Sequence, residues 1–269
     1  MITFLVAATL GAAFSCDSGR TPSSAATNQR GSRIWFTLYS HQRESARFVS
    51  IDEDRQTLYV EATSPNLELA SVISVARGRL AAATLGQLSE ALRGLGRMDP
   101  AGIASMQPIE PIEQSDLLAD VATSAAGATS SWPGLATKAM PPDVSAALTH
   151  AAAAASKLAP HRPPSIVQAI PVDAARAERI RTDPRKPYQF VPVEENVLNA
   201  SPHLLAALRH PGLVVETSES EDLLVRDWLR LSNPKRTSDT LFVEIEGDTL
   251  RAVFQMHVRE VSLPRRPIR

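Results

Sequence analysis

The chain reads as an α+β protein: antiparallel sheets with packed helices, interrupted by an Ala/Pro-rich, partly helical segment. Three observations predict this. "RIWFTLYS" alternates, with Ile34, Phe36 and Leu38 on one face and Trp35, Thr37 and Tyr39 on the other, the period of a strand. Leu85, Leu88, Leu92 and Leu95 recur at spacings of three and four, one apolar helical stripe. Near the C-terminus, "TLFVEIEGDTLRAVFQMHV" sets Gly247 and Asp248 between two apolar runs, a hairpin signal.

The 269 residues suffice for one large or two modest domains, and 43% of them are apolar, enough for a packed core. The 28 basic and 29 acidic residues nearly cancel. That balance gives no electrostatic reason to expect nucleic acid or an anionic membrane surface as partner. A single cysteine excludes an intrachain disulfide framework and any multi-cysteine metal site. No run reaches the ~18 to 20 consecutive apolar residues of a membrane-spanning helix.

The first element is residues 1–15. Its apolar core, uncharged from residue 2 onward, runs from Phe4, Leu5 and Val6 to Phe14, and ends among the small residues Gly11, Ala12, Ala13 and Ser15. It is too short to span a bilayer and has the length of a signal-peptide core. Cys16 follows at once. Residues 17–32 then hold no large apolar side chain, so residues 16–32 are expected to be a flexible tether. "AAFSC" resembles a bacterial lipoprotein signal ending in a lipobox, with Ala13 where Leu is usual. The resemblance implies that Cys16 becomes the mature N-terminus, carries acyl chains such as palmitate, and holds the protein to a membrane of the cell envelope, on its periplasmic or outer surface. It covers only about the first 20 residues and names no family for the body.

Residues 33–97 are expected to form an α+β unit, four antiparallel strands with one helix. After the first strand come "ARFVSI" and "TLYVEAT", separated by the turn-like "DEDRQ". In "LELASVISV", Leu67, Leu69, Ile73 and Val75 share a face. Thr84 and Gln87 suit a capping box at the start of the leucine-striped helix, which Gly94 and Gly96 close. If the helix covers one sheet face, Trp35, Tyr39 and Tyr59 are expected on the other, either as an exposed aromatic patch or, the favoured reading, covered by the second globular part.

Residues 98–165 hold 17 Ala, 9 Pro and one aromatic, Trp132. They read as a linker or insertion with short helices at 115–124 and 143–158. The latter contains "AAAAA", of high helix propensity but little to bury. Residues 166–269 are expected to form a second α+β unit. "SIVQAIPV" and "LVVET" read as strands. Ser201 and Pro202 start one helix as cap and N1 proline. Ser218 and Glu221 form a capping box for another, with Leu224, Trp228 and Leu231 along its face. In the final hairpin, a loop of Gly247 and Asp248 sets Ile245 opposite Leu250 and Glu244 opposite Arg251.

The search for chemistry is largely negative. None of His41, His150, His161, His203, His210 and His257 lies in a metal-ligand spacing. His203 and His210 are two helical turns apart, too far to share one ion. His210 is placed to favour the helix dipole. "DED" at 52–54 lacks the features of a calcium loop and reads as a solvated turn, "EE" at 194–195 invites the same caution, and "ESED" at 219–222 reads as an acidic first helical turn. "GLGRMD" follows a helix rather than a strand, which rejects a dinucleotide fingerprint. No nucleophile elbow or phosphate loop is present. No catalytic residue, cofactor or metal ligand is therefore assigned. The expectation is a membrane-anchored envelope lipoprotein acting as a binding or interaction domain, its partners the bilayer through Cys16 and an unidentified envelope protein. The alternatives are a secreted or anchored hydrolase whose site is invisible in sequence, and an inhibitor-like or assembly-factor module working through sheet edges.

Overall fold

The chain is seen in a computed structural model that describes residues 32–40, 45–65, 70–108, 117–125, 128–182, 190–193, 201–232, 240–245 and 249–258. Alternating runs such as Ile34–Phe36–Leu38 and Trp35–Thr37–Tyr39 build strands that are apolar on both sides, so each sheet needs cover on both faces. The first sheet has seven strands: β1 (Arg33–Ser40), β2 (Ala46–Ile51), β3 (Thr57–Ala62), β4 (Val72–Gly78), β5 (Leu117–Ala125), β6 (Ala128–Ala136) and β7 (Ala159–Pro160), in the order β6-β5-β1-β2-β3-β4-β7. The second has five: β8 (Ser165–Pro171), β9 (Phe190–Pro192), β10 (Val214–Glu216), β11 (Thr240–Ile245) and β12 (Thr249–His257), in the order β10-β8-β12-β11-β9. Every pairing is antiparallel except β9 with β11.

Among the described residues the helices are α1 (Ala82–Gly96), α2 (Pro100–Ser105), α3 (Pro142–Ala155), α4 (Ala174–Thr182), α5 (Pro202–Arg209) and α6 (Glu219–Ser232). Three apolar clusters stack the layers. Ile34, Phe36 and Leu38 of β1 pack with Leu88, Leu92 and Leu95 of α1 and with Leu148 of α3. On the other face of the first sheet, Phe48 and Val60 meet Ile166, Phe242 and Phe254 of the second sheet. The far side of the second sheet, Val167, Leu241 and Val253, is covered by Leu204 and Leu208 of α5 and by Val225 and Trp228 of α6. The result is four layers, helix–sheet–sheet–helix. Each fully buried Leu or Phe in these clusters contributes about 1.5–3 kcal/mol.

The expected α+β class, the leucine stripe of α1 and the strand alternation of β1 are all present. Trp35, Tyr39 and Tyr59 are all buried; Trp35 and Tyr39 lie on the face turned toward the second sheet, but Tyr59, expected beside them, packs on the helix side with Phe36 and Leu88. Several expectations need correction. The segment 98–165, expected as a linker or insertion, supplies β5, β6, β7, α2 and α3, so the first sheet is wider than the four strands anticipated. The helix expected at 115–124 is the strand β5, whose Leu118, Ala119, Val121 and Ala122 are buried between the helical layer and the second sheet. The alanine run does bury: Ala151, Ala152 and Ala155 are within the core, their small side chains letting α3 sit close to α1 and the sheet.

Local expectations differ too. Helix α1 begins at Ala82 after an Ala81 with no side-chain cap, and Thr84 is buried inside its first turn rather than capping it. Ile73 is exposed and does not share the face of Val75, because the ladder slips between Glu61 and Ala62 and the extra residue in β4 inverts the alternation. Leu67 and Leu69 lie outside the described residues. In the last hairpin Ile245 pairs with Thr249 and Leu241 with Val253, so the connection is residues 246–248, three rather than two. Glu244 therefore opposes Leu250, not Arg251. Both faces of this hairpin are buried, so apolar patterning alone could not choose between the two registers.

Gly212 ends the turn after α5 with φ +85, and its N–H donates to the Ala169 carbonyl at 2.8 Å. An added Cβ there would meet Trp35 Nε1 at 3.6 Å, an ordinary contact, so the strain is backbone strain. Gly212→Ala is expected to lower stability by about 1–2 kcal/mol in urea unfolding. An unchanged midpoint would contradict this.

Candidate functional site

A concavity lined by both sheets lies where one edge of the second sheet meets the β2–β3 end of the first. It has a volume of about 270 Å³. Its floor is apolar: Ile51 and Leu58 from the first sheet, Leu213 and Val214 from the second. Its rim is polar: Arg33, Asp52, Glu53, Asp54 and Gln56 on one side, Arg77, His203 and Glu216 on the other. Ser50 of β2 also lines it. A cleft with an apolar floor and a few convergent polar groups is the usual form of a small-ligand site.

The β2–β3 turn is self-supported. Asp52 Oδ1 accepts from the N–H groups of Asp54 at 2.9 Å and Gln56 at 2.8 Å, and Arg55 takes a positive φ of 62. "DED" is thus the turn that the sequence suggested. Across the cleft, Glu216 of β10 joins the two sheets. It is ion-paired with Arg77 of β4, and its Oε2 lies 2.5 Å from His161 Nε2.

His203 is set by Glu221. The Glu221 carboxylate is almost wholly buried, with a side chain 1% exposed. It accepts from the N–H groups of His203 at 2.9 Å and Leu204 at 3.4 Å, from His203 Nδ1 at 2.9 Å, and from the Ser218 N–H at 2.9 Å. Glu221 N–H in turn donates to Ser218 Oγ at 3.3 Å, which closes the expected capping box on α6. One carboxylate therefore caps two helices, α5 and α6. Pro202 is at N1 of α5 as expected, but Ser201 makes no side-chain cap, because Glu221 already holds the donors it would have served. Burial opposes the charged form of Glu221, yet the hydrogen bonds from His203 and Ser218 outweigh it and bring the carboxyl down to about 2. The same hydrogen bond raises the pKa of His203 above its ordinary value.

The other histidines are placed separately. His210 ends α5 with its ring 5.5 Å from that of Trp35, and Nδ1 is 3.4 Å from Thr129 Oγ1. Burial, then the nearby Arg33, lowers its pKa, so the expected favourable cation at the helix C-terminus is not what this site makes. His257 Nδ1 lies 3.2 Å from Asp222 Oδ1. Asp222 belongs to a buried network: its Oδ1 accepts from Gln255 Nε2 at 2.8 Å and its Oδ2 from Arg226 at 2.8 Å, and Gln255 also donates to Ser165 Oγ at 3.0 Å. The "ESED" run is an acidic first turn as read, but Glu221 and Asp222 are interior anchors besides.

Among the described residues, no group of three or more His, Cys, Asp or Glu converges to hold a metal ion. No helix among them is long and apolar enough to cross a membrane. Cys16, His41 and the pair at 194–195 lie outside the described residues. The sequence did not foresee the meeting of His203 with Glu221, nor that of Glu216 with Arg77 and His161. The capping box located Glu221, but nothing local signalled its second helix. Comparison with protein-family models, curated proteins and solved structures finds no match.

Proposed function

We propose that this chain is a lipid-anchored protein of the bacterial cell envelope whose body binds a small ligand. The observation that supports the binding role is the cleft between the two sheets, apolar below and polar at its rim. The anchor rests on the N-terminal residues alone: apolar core, small residues, Cys16 and polar tether, in that order. The carboxylate beneath His203 serves first as a helix cap, which fits a binding site better than a catalytic one.

Two experiments test the two halves. Cys16→Ala is expected to move the protein from the detergent phase to the aqueous phase in Triton X-114 partition and to abolish palmitate incorporation. Unchanged partition removes the anchor. For the cleft, Ala206 lines the wall and is partly buried, so Ala206→Phe should fill it. Thermal-shift screening of small polar compounds is expected to find stabilisers of the native chain that no longer act on Ala206→Phe. Equal stabilisation of both proteins overturns the cleft as the site.

A second reading, an anchored hydrolase, is favoured by one observation: Ser50 and His203 both line this cleft, and Glu221 lies behind His203. Glu221 orients the imidazole by Nδ1, as an acid does in a nucleophilic triad. The Ser50 hydroxyl makes no hydrogen bond to His203, so this reading requires a closing movement. It predicts labelling of Ser50 by a fluorophosphonate; an unlabelled serine ends it.

A further inference from the structure

A second groove lies along the first sheet, where the C-terminal half of α1 passes the start of β1, the end of β5 and the edge strand β6. Its volume is about 380 Å³, within the ~300–1,000 Å³ of small-molecule sites. Its floor is apolar: Ile34 and Leu92, with the partly buried Trp132 beside them. Its charges are of one sign. Arg33, Arg93 and Arg97 line it, and among the described residues no carboxylate does. Ser89 and Thr123 bring hydroxyls to its walls.

The acids that meet these arginines belong to other surfaces. Glu53, 3.4 Å from Arg33, lines the cleft between the sheets, and Glu90, paired with Arg93, lines the far side of α1 toward α3. Arg97 makes no ion pair among the described residues. The helix dipole favours cations at the end of α1, yet the carbonyls of Gly94 and Leu95 there already accept from the N–H groups of Arg97 and Met98. The dipole does not account for Arg33, which comes from β1. Its Nε atom is buried and makes no hydrogen bond among the described residues. A buried donor ordinarily has an acceptor, so this second observation, from a different element, also asks for a group that accepts.

We propose that this groove binds a phosphate ester with a small apolar body. The phosphate oxygens accept from Arg33, Arg93 and Arg97 and from the Ser89 and Thr123 hydroxyls. Guanidinium forks match phosphate oxygens in pairs, and such charge-assisted bonds are the strong ones. The apolar body lies on Ile34, Leu92 and Trp132. This site is separate from the cleft between the sheets and does not depend on it, although Arg33 lines both.

The test is calorimetric titration of the full chain at low salt with three matched probes: phenyl phosphate, benzyl alcohol and benzylammonium. Phenyl phosphate is expected to bind in preference to the other two, and to weaken as salt is added. Arg97 is exposed and unpaired, so Arg97→Gln should fold; it is expected to weaken phenyl phosphate about fivefold, the scale of one exposed charge contact. Arg33→Lys keeps the charge, removes the fork and is expected to weaken it as well. Ala206→Phe, which fills the cleft between the sheets, should bind phenyl phosphate as the native chain does. Equal or tighter binding of the alcohol or the ammonium overturns the proposal, as does binding of none of the three. Unchanged affinity in Arg97→Gln overturns it too, and loss of binding in Ala206→Phe would move the phosphate to the cleft and remove this groove. Sedimentation of Cys16→Ala with vesicles of phosphatidylglycerol or of phosphatidylcholine separates a free ester from a lipid headgroup. Preference for phosphatidylglycerol that Arg97→Gln abolishes, together with phenyl phosphate binding, supports the site with the headgroup as its source. Phenyl phosphate binding alone supports a soluble ester.

Discussion

Replacing Glu221 with Ala is expected to lower the stability of the chain by about 3 kcal/mol, because one residue ends two helix caps and an ion pair at once. The N–H groups of His203 and Ser218 lose their acceptor, and the imidazole loses the group that fixes its orientation. Chemical denaturation of Glu221→Ala against the native chain measures the loss. Glu221→Gln keeps the shape and separates charge from size. The pH dependence follows from the shifts. The Glu221 carboxyl is lowered from 4.5 to about 2 on folding, so its contribution is present above pH 4.5 and is lost as pH falls toward 2. His203 is raised above 6.5, so its contribution is complete below 6.5 and fades as pH rises past the raised value. The pair therefore stabilises most between about pH 4.5 and 6.5. In Glu221→Gln both flanks of that profile should flatten, and the imidazole titration followed by NMR should move down. A variant whose His203 titrates as in the native chain would show that the carboxylate does not set the imidazole.

Phe254→Ala is expected to have an effect of similar or greater size, about 3–5 kcal/mol. Phe254 is 1% exposed and lies in the apolar layer where the two sheets meet, with Phe48, Val60, Ile166 and Phe242. Truncation leaves a cavity that strands on both sides are too well paired to close. The loss should be felt by the whole chain, because residues from both sheets share this layer. A single unfolding transition, displaced as a unit, is the expected calorimetric trace. Two transitions, one of them unmoved, would show that the sheets are independent domains.

The parts of the fold legible in the sequence are those with a local period. The alternation of β1, the leucine stripe of α1 and the Ser218–Glu221 box are visible because each is fixed by residues a few positions apart. The Ala/Pro segment departs from its sequence pattern for a physical reason: small side chains look too poor to form a core, yet α3 needs them to approach closely, and Ala119 and Ala122 need little room between two covered faces. The hairpin register failed because both faces are buried, so alternation carries no sign. The cleft was invisible because it is assembled across long separations, Arg77 to Glu216 by 139 residues and His203 to Glu221 by 18. Nothing in a short window of sequence encodes such meetings.

The two sheets are built from consecutive stretches of chain, the first ending at Pro160 and the second starting at Ser165. Synthesis proceeds from the N-terminus, so the earlier stretch leaves the ribosome with Phe48, Val60 and Val75 in need of a lid that has not yet been made. Export across a membrane would lengthen that wait. Nascent chains of this protein should therefore depend on holding chaperones until Val258, the last described residue of that shared layer, has left the ribosome.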